Sequence, residues 1–496
     1  MSPLSTQARP VNPAPSTELA RGSVGTTEVF AQAVAAAAPS VALAAVPGEL
    51  YLIAHRGALV SAILAAVVVL LVAYLVSLQA RRTVSSGSLG TYTGNGLGPL
   101  GAFTAGWGLV IGYLAFAGSA LFGADIYFTA FLAKLHADTS SKAWTVAILL
   151  LVAIPIIAAP YRGLRVSARA GLVFEVVSLI AIAFILIASY VHYGFRIDTS
   201  QFTADGVGVS GLLLGAVLGV GAYAGFESAA SLGFEARDPH RTIPRVLLTT
   251  VFGLVVLYFV ATYGEVLSFS GAHGTVTGNS APLDVVSANA GVDWTGYVVN
   301  LGIAIAMLAF GSAVLNAGAR SLYTFAKEGG LPAVFTRTHS RFQSPHVGIV
   351  ALGLVGLVAS IGFTLYGTGP LRASAYIGTV GAFGYFVTYL LVAIATPIYL
   401  WRLRELTPHV ALAAAVAAAA MVYVLYKTVY PAPPYPYDVL PYAFLALLTL
   451  GLVRYAYLRA TDPDRARQIG THQESAGAAT APLEPGVIER TLRIPV

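Results

Sequence analysis

The chain has 496 residues, of which 57% are hydrophobic and only 10% are charged, and it contains no cysteine. Apolar runs of about 20 residues recur along it, so the composition predicts a polytopic membrane protein and excludes disulfides and thiolate metal sites. The net charge of +6 does not indicate nucleic acid binding, because basic residues of membrane proteins collect in cytoplasmic loops.

Apolar windows predict twelve membrane-spanning helices, so the expected fold class is an all-α polytopic membrane protein. The polar ends, residues 1–22 and 462–496, are rich in Pro, Ala, Ser and charge, and we expect them to be disordered tails around a transmembrane domain at 23–461. The predicted spans lie near residues 28–46, 59–79, 103–131, 144–159, 170–191, 209–232, 243–267, 296–326, 347–366, 377–400, 409–429 and 439–458.

The positive charges predict the orientation of these spans. With the N-terminus inside, the cytoplasmic links carry 14 Lys and Arg residues and the outer links carry six. We therefore expect a multi-pass protein of the cell membrane with both tails in the cytoplasm.

The common catalytic and nucleotide-binding motifs are missing. The sequence has no G-x-x-x-x-G-K-[ST], no H-E-x-x-H and no G-x-S-x-G. The Gly208-Val-Ser210-Gly211 segment is similar to the serine motif of intramembrane proteases, but this serine lies at the edge of its span, and a loop-to-helix cluster explains it better. We expect neither an enzyme nor a cofactor.

The first predicted span is interrupted near its middle by Pro39. Proline donates no hydrogen bond, and its ring clashes with the carbonyl one helical turn earlier. Pro39 follows the small residues Ala36, Ala37 and Ala38 and precedes Ser40. We expect the helix to be discontinuous here.

The sixth predicted span is interrupted as well, by Gly221, Gly225 and the acid Glu227. Two broken spans, five spans apart, are typical of inverted-repeat transporters, in which half-helix N-termini favour a carboxylate and half-helix C-termini favour a cation. Such a site suits a zwitterion. The alternatives are a simple kink at Pro39, a Gly-x-x-x-Gly packing face and a structural role for Glu227.

The residues from Tyr223 to Arg245 carry a family resemblance. Their sequence, Tyr-Ala-Gly-Phe-Glu-Ser-Ala-Ala-Ser-Leu-Gly-Phe-Glu-Ala-Arg-Asp-Pro-His-Arg-Thr-Ile-Pro-Arg, resembles the sixth span and following loop of the amino acid, polyamine and organocation (APC) transporters. Residues 94–113 are similar to the third span of that family, and residues 319–332 to the segment after its eighth span. The resemblance covers about residues 26–458.

The resemblance implies a LeuT-like five-plus-five inverted-repeat fold with discontinuous helices 1 and 6. The repeats would span about 24–192 and 207–401, followed by two extra helices at about 409–458. By position, the substrate-binding residues would be Ala36, Ala37, Ala38, Pro39 and Ser40 around the carboxylate, Tyr223, Ala224, Gly225 and Phe226 around the amine and side chain, and Tyr113, Asn316 and Tyr385 from spans three, eight and ten.

Two departures from the family pattern bear on the coupling ion. Ala38-Pro39-Ser40 replaces the Gly-rich break that is common in the family, and Ser178 stands where many members carry a lysine that takes the place of a sodium ion. Proton coupling would use Glu227, as gate or coupling acid, or Glu175, whereas a sodium ion would need oxygens such as that of Ser312.

Glu175 lies near the predicted cytoplasmic end of the fifth span. We expect its side chain to be solvated or paired with Arg169 rather than part of a proton relay.

The expected function is secondary active transport of amino acids, by proton-coupled symport or by substrate exchange. The cavity motifs contain no second buried acid for a cationic side chain, so a neutral amino acid is favoured. One alternative is a polyamine or organic amine transporter of the same fold. The other is a non-transporting amino acid sensor, for which a large soluble domain would be expected.

Overall fold

The fold is described from a computed structural model, which covers residues 18–139, 141–194, 197–203, 206–269 and 282–471. Most of the two predicted tails, residues 1–17 and 472–496, lies outside the described residues. The described part is helical, and its only β-contact is an isolated parallel bridge between Val24 and Ala236.

Sixteen α-helices are present in the described residues, together with three short 3₁₀ helices at His55–Gly57, Phe226–Leu232 and Ala333–Thr336. In chain order the α-helices are α1 (Thr26–Ala37), α2 (Pro39–Ala54), α3 (Ala58–Ala80), α4 (Leu89–Lys134), α5 (Lys142–Tyr161), α6 (Leu164–His192), α7 (Ser200–Thr203), α8 (Val209–Gly221), α9 (Pro239–Phe269), α10 (Pro282–Asn289), α11 (Thr295–Lys327), α12 (His346–Tyr366), α13 (Pro370–Arg402), α14 (Pro408–Val429), α15 (Leu440–Thr461) and α16 (Pro463–Gln468).

These helices confirm the predicted membrane fold. Eleven described segments are long and apolar enough to cross a bilayer, and the first of them, Thr26–Ala80, contains α1, α2 and α3. That segment has 55 residues, enough for two crossings of about 20 residues each, and it leaves the helical conformation at His55 (φ 44°, ψ −123°), where the 3₁₀ turn His55–Gly57 begins. The total is the twelve spans that the sequence predicts.

Helix α4 is the central element of the bundle, and it packs mainly against α13 and α11. It begins at Leu89, earlier than predicted, because a first helical piece joins the span across a break at Gly98. Where α4 crosses α13, a Cβ added to Gly384 would lie 2.3 Å from the carbonyl oxygen of Gly108. Small residues at this crossing therefore let two membrane helices approach closely.

The ends of the described chain are more ordered than the sequence predicts. In the expected C-terminal tail, Asp462 accepts a hydrogen bond from the N–H of Arg465 at 3.2 Å and begins α16, and Ile469 after it is fully buried. The prediction of disorder is therefore wrong for residues 462–471, because a side-chain cap and apolar burial stabilise them.

Residues 18–22 of the expected N-terminal tail are also packed against the bundle. Leu19 is 2% exposed, and Gly22 donates its N–H to the carbonyl of Phe234 at 3.1 Å. Two further bonds, from Val24 N–H to Glu235 O and from Arg237 N–H to Val24 O, continue this pairing. The start of α1 is thereby attached to the loop that follows the sixth span.

Candidate functional site

The first span is discontinuous, as predicted. Helix α1 ends at Ala37, Ala38 takes the left-handed conformation (φ 44°, ψ 60°), and α2 begins at Pro39. Pro39 has no N–H, and the N–H of Val41 bonds to the carbonyl of Ala38 at 3.1 Å. The last carbonyls of α1 therefore lose their helical donors and form a negative half-helix end.

The sixth span is also broken, and the two breaks meet. Helix α8 ends at Gly221, a turn follows, and a 3₁₀ helix begins at Phe226. Gly225 in the turn has φ 107°, and a Cβ added there would lie 2.0 Å from the carbonyl oxygen of Ala36. Glycine is therefore required at position 225 for two reasons, the positive φ of the backbone and the close approach to the Ala36 carbonyl.

Glu227 connects the second break to two neighbouring helices by hydrogen bonds. Its side chain is fully buried, and one carboxylate oxygen accepts from the Gly225 N–H at 3.0 Å and from the Tyr389 hydroxyl at 2.7 Å. The other oxygen accepts from the Tyr113 hydroxyl at 3.0 Å. Glu227 thus joins the break to α4 and α13, and both of its oxygens are occupied by donors of the protein.

Tyr385 lies beside this network without taking part in its hydrogen bonds. Its ring meets that of Tyr113 edge-on with centroids 5.6 Å apart and stacks on Phe116 at 4.9 Å. The side chain is fully buried, and its hydroxyl has no hydrogen-bond partner in the described part of the chain. A buried hydroxyl without a partner is costly, so it is available to a ligand.

Tyr389 is a site residue that the sequence analysis missed. It lies four residues after Tyr385 on α13, and residues at this spacing share one helix face. Tyr389 was therefore predictable from this spacing once Tyr385 had been assigned to the site.

The other predicted residues of the second break are packed around it. Tyr223, Ala224 and Phe226 are at most 5% exposed. The Tyr223 ring packs on Tyr258 of α9 at 4.8 Å, and the ring of Phe226, the predicted lid, packs on Tyr389 at 5.8 Å.

Asn316 belongs to a separate buried network. It donates its amide N–H to Gln32 on α1 at 2.9 Å, and its side-chain oxygen accepts from Arg320. Arg320 also pairs with Glu235 at 2.5 and 2.8 Å, and both side chains of this pair are at most 4% exposed. Both the N–H and the oxygen of the Asn316 side-chain amide are therefore bonded to protein groups.

Gln32 is a second site residue that the sequence analysis missed. A polar residue in an apolar run was the signal that could have revealed it.

The expectation for Glu175 is wrong. Its side chain is 1% exposed, and its two oxygens accept from the N–H of Ser40 at 2.6 Å and from the Ser40 hydroxyl at 3.1 Å. Arg169, its expected partner, pairs instead with Glu28 at 2.6 Å. The first turn of α2 offers an N–H with no helical acceptor, and a carboxylate stabilises such an end better than solvent at this depth.

The two predicted hydroxyl ligands for an ion bond to backbone carbonyls. Ser178 donates to Phe174 on its own helix at 3.0 Å, and Ser312 donates to Ile156 on α5 at 3.2 Å. The hydrogen bonds of both hydroxyls thus go to helices α6 and α5 rather than to either break. The described residues contain no cluster of three or more His, Cys, Asp or Glu side chains able to hold a metal ion.

A bundle with two broken helices that meet at its centre defines a membrane transporter of the inverted-repeat class. The family model for amino acid permeases matches residues 24–453, so the chain belongs to the amino acid permease family. Members of this family are transporters and not enzymes, so the weak protease-like motif at Ser210 does not mark a catalytic site.

Similar proteins agree with this assignment. An uncharacterized transporter of Mycobacterium tuberculosis is 28% identical over 366 residues, covering 74% of this chain and 78% of that protein. The branched-chain amino acid permease BcaP of Bacillus subtilis is 24% identical, covering 66% and 72%. The crystal structure of MhsT in complex with L-phenylalanine has a TM-score of 0.56 at 14% identity and covers 81% of this chain and 98% of that one, which supports the fold.

Proposed function

We propose that this permease transports a neutral, apolar amino acid by alternating access, with the substrate bound where the two breaks meet. The observation that carries the proposal is the contact of Gly225 with the Ala36 carbonyl. It places the negative end of α1 beside the second break, which suits the amine of an amino acid. The unpartnered hydroxyl of Tyr385 lies next to the Glu227 network and supplies a further polar contact.

Two buried acids lie near the breaks, where the sequence predicts only one, but their hydrogen bonds still support a neutral side chain. Glu227 accepts three hydrogen bonds and Glu175 accepts two, all from protein groups. Neither carboxylate is therefore open to a cationic side chain, and a narrow cleft beside the breaks is lined by apolar residues such as Ala42, Val46 and Tyr258. The name of the similar protein BcaP, a branched-chain amino acid permease, is consistent with this choice.

Coupling to a proton gradient, or exchange of one amino acid for another, is the proposed source of energy. Glu227 and Glu175 are buried acids at the breaks and provide places where a proton can be held, whereas the hydroxyls of Ser178 and Ser312 are turned to backbone carbonyls. The excess of Lys and Arg in the links that are cytoplasmic when the N-terminus is inside supports a cell-membrane location with both termini in the cytoplasm.

Purified protein in liposomes tests this function. The vesicles are loaded with one unlabelled amino acid at a time and exposed to labelled leucine, phenylalanine or lysine, with and without pH and sodium gradients. We expect uptake or exchange of leucine and phenylalanine that exceeds the uptake of lysine and that of protein-free vesicles. The proposal fails if correctly folded protein moves none of these compounds or prefers lysine.

A further inference from the structure

We infer that Glu175 is an internal competitor for the substrate carboxylate at the start of α2, and that it sets the affinity for carboxylate-bearing substrates. The inference rests on the proposed function, because it concerns the same break in the first span. In this role Glu175 affects the binding of the amino acid and not the later transport step.

The contact of Glu175 with Ser40 has the form expected of a bound carboxylate ligand. Both oxygens are used, one on the backbone N–H at 2.6 Å and one on the hydroxyl at 3.1 Å. The two residues are at most 1% exposed and lie 135 positions apart in the chain. This is therefore a tertiary contact between α6 and the break, and not a local cap.

Ser40 has the N–H of this helix end that is not bonded to a backbone carbonyl, and Glu175 accepts from it. Pro39 has none, and the N–H groups of Val41 and Ala42 both bond to the carbonyl of Ala38 at 3.1 Å. A substrate carboxylate that uses the first turn of α2 must therefore reach the N–H of Ser40. Two carboxylates cannot share this single donor, and their like charges repel each other at such a distance.

Among the described residues, the neighbouring polar groups on α6 and α9 are bonded to other partners. On its own helix, Arg169 is paired with Glu28. On α9, the hydroxyl of Tyr258 donates to the carbonyl of Ala222 at 2.8 Å. Ser40 and the positive end of α2 are thus the groups that stabilise the carboxylate, and a substrate must displace it from them.

This arrangement distinguishes substrates by the presence of a carboxylate. An amino acid has to compete with Glu175 for Ser40, whereas the corresponding amide or amine has no anionic group to place there. Removing the charge of Glu175 should therefore improve the binding of the acid and leave that of the amide nearly unchanged.

The test measures equilibrium binding to the purified full-length protein with L-leucine, L-leucinamide and 3-methylbutylamine as probes, and with L-phenylalanine in parallel. The variants are Glu175→Gln and Glu175→Ala. The control is Ser189→Ala on the same helix, because the buried hydroxyl of Ser189 has no hydrogen-bond partner among the described residues. We expect the Kd of leucine to fall about 3- to 10-fold in Glu175→Gln, which replaces a charge-assisted hydrogen bond by a neutral one. It should fall at least as much in Glu175→Ala, which leaves no side-chain acceptor for Ser40. The Kd of leucinamide should change less than twofold.

A general effect on the fold would shift leucine and leucinamide alike, so a gain of affinity for leucine alone is decisive. The inference is overturned if the Kd of leucine is unchanged or rises in both variants, or if leucine and leucinamide shift together. It is also overturned if the wild type prefers 3-methylbutylamine and Glu175→Gln loses that binding, since Glu175 would then be a permanent partner in an amine site. If no amino acid binds to any variant but the amines do, the proposed function fails as well, and this inference falls with it.

Discussion

Gly225 and the carbonyl oxygen of Ala36 lie so close that a Cβ on Gly225 would come within 2.0 Å of that oxygen. This contact joins the interruption of the first span to that of the sixth, although the two residues are far apart in the chain. Real Cβ atoms do not approach a carbonyl this closely, and φ at Gly225 is 107°. Any side chain at position 225 would therefore push the two breaks apart.

Gly225→Ala should abolish transport because it pushes the two breaks apart and strains the turn. The matched control is Gly253→Ala on α9, where the backbone is helical and an added Cβ meets no atom of the described residues within 4 Å. Uptake into liposomes by equal amounts of folded protein is the measurement. Wild-type transport by Gly225→Ala would show that the contact between the breaks is not part of the site.

Tyr385→Phe should weaken substrate binding without loss of stability. The wild-type hydroxyl is buried without a partner in the described part of the chain, so its removal leaves the thermal midpoint unchanged or raises it. A neutral hydrogen bond to the substrate contributes about 0.5–1.5 kcal/mol, which corresponds to a rise in KM of about 2- to 10-fold.

Tyr113→Phe provides the comparison for that variant. Its hydroxyl donates to Glu227 at 3.0 Å, so the protein itself should lose stability when this hydroxyl is removed. An unchanged KM in Tyr385→Phe would remove Tyr385 from the proposed substrate contacts.

Arg320→Ala should destabilise the protein strongly, because it leaves the carboxylate of Glu235 buried without its partner. Breaking one side of a buried ion pair costs about 3–5 kcal/mol. The pair formed by Arg82 and Glu405 is the control, since its side chains are 30% and 47% exposed. Arg82→Ala should therefore cost only about 0–1 kcal/mol.

Thermal unfolding of the detergent-purified variants measures this difference. The double variant Arg320→Leu, Glu235→Leu should be more stable than Arg320→Ala, because no charge is then left buried. Equal midpoints for Arg320→Ala and Arg82→Ala would contradict the role of the buried pair.

The features that were predictable from the sequence are those with a local chemical cause. Pro39 removes a backbone donor after a run of small residues in the middle of an apolar span, and Gly225 with Glu227 marks the second interruption within one turn. The partner of Glu175 was not predictable, because it depends on how deeply α6 packs beside the start of α2. Ser40 is 135 residues away in the chain, and nothing local to Glu175 distinguishes a solvated acid from a buried one.

The same limit applies to Asn316 and to the end of the chain. An asparagine on the eighth span suggests a cavity ligand, but its amide bonds to Arg320 on the same helix and to Gln32 of α1, which is 284 residues away in the chain. The order of residues 462–471 depends on the burial of Ile469 against the bundle, which composition alone does not reveal.

Glu227→Gln separates the charge of Glu227 from its geometry. The glutamine oxygen can accept from the Gly225 N–H and the Tyr389 hydroxyl, and its amide group can donate to the Tyr113 hydroxyl, which turns to accept. The break should therefore keep its shape while losing a group that can carry a proton. Glu227→Ala removes both and leaves three buried donors without an acceptor, which should destabilise the protein as well as stop transport.

If Glu227 is the coupling acid, Glu227→Gln should retain exchange of amino acids across the membrane and lose accumulation driven by a pH gradient. Both activities are measured in the same liposomes, so differences in protein amount cancel. Equal loss of exchange and accumulation in Glu227→Gln would mean that the acid serves to hold the second break in place. In that case Glu175 would be the remaining buried acid at the breaks available for coupling.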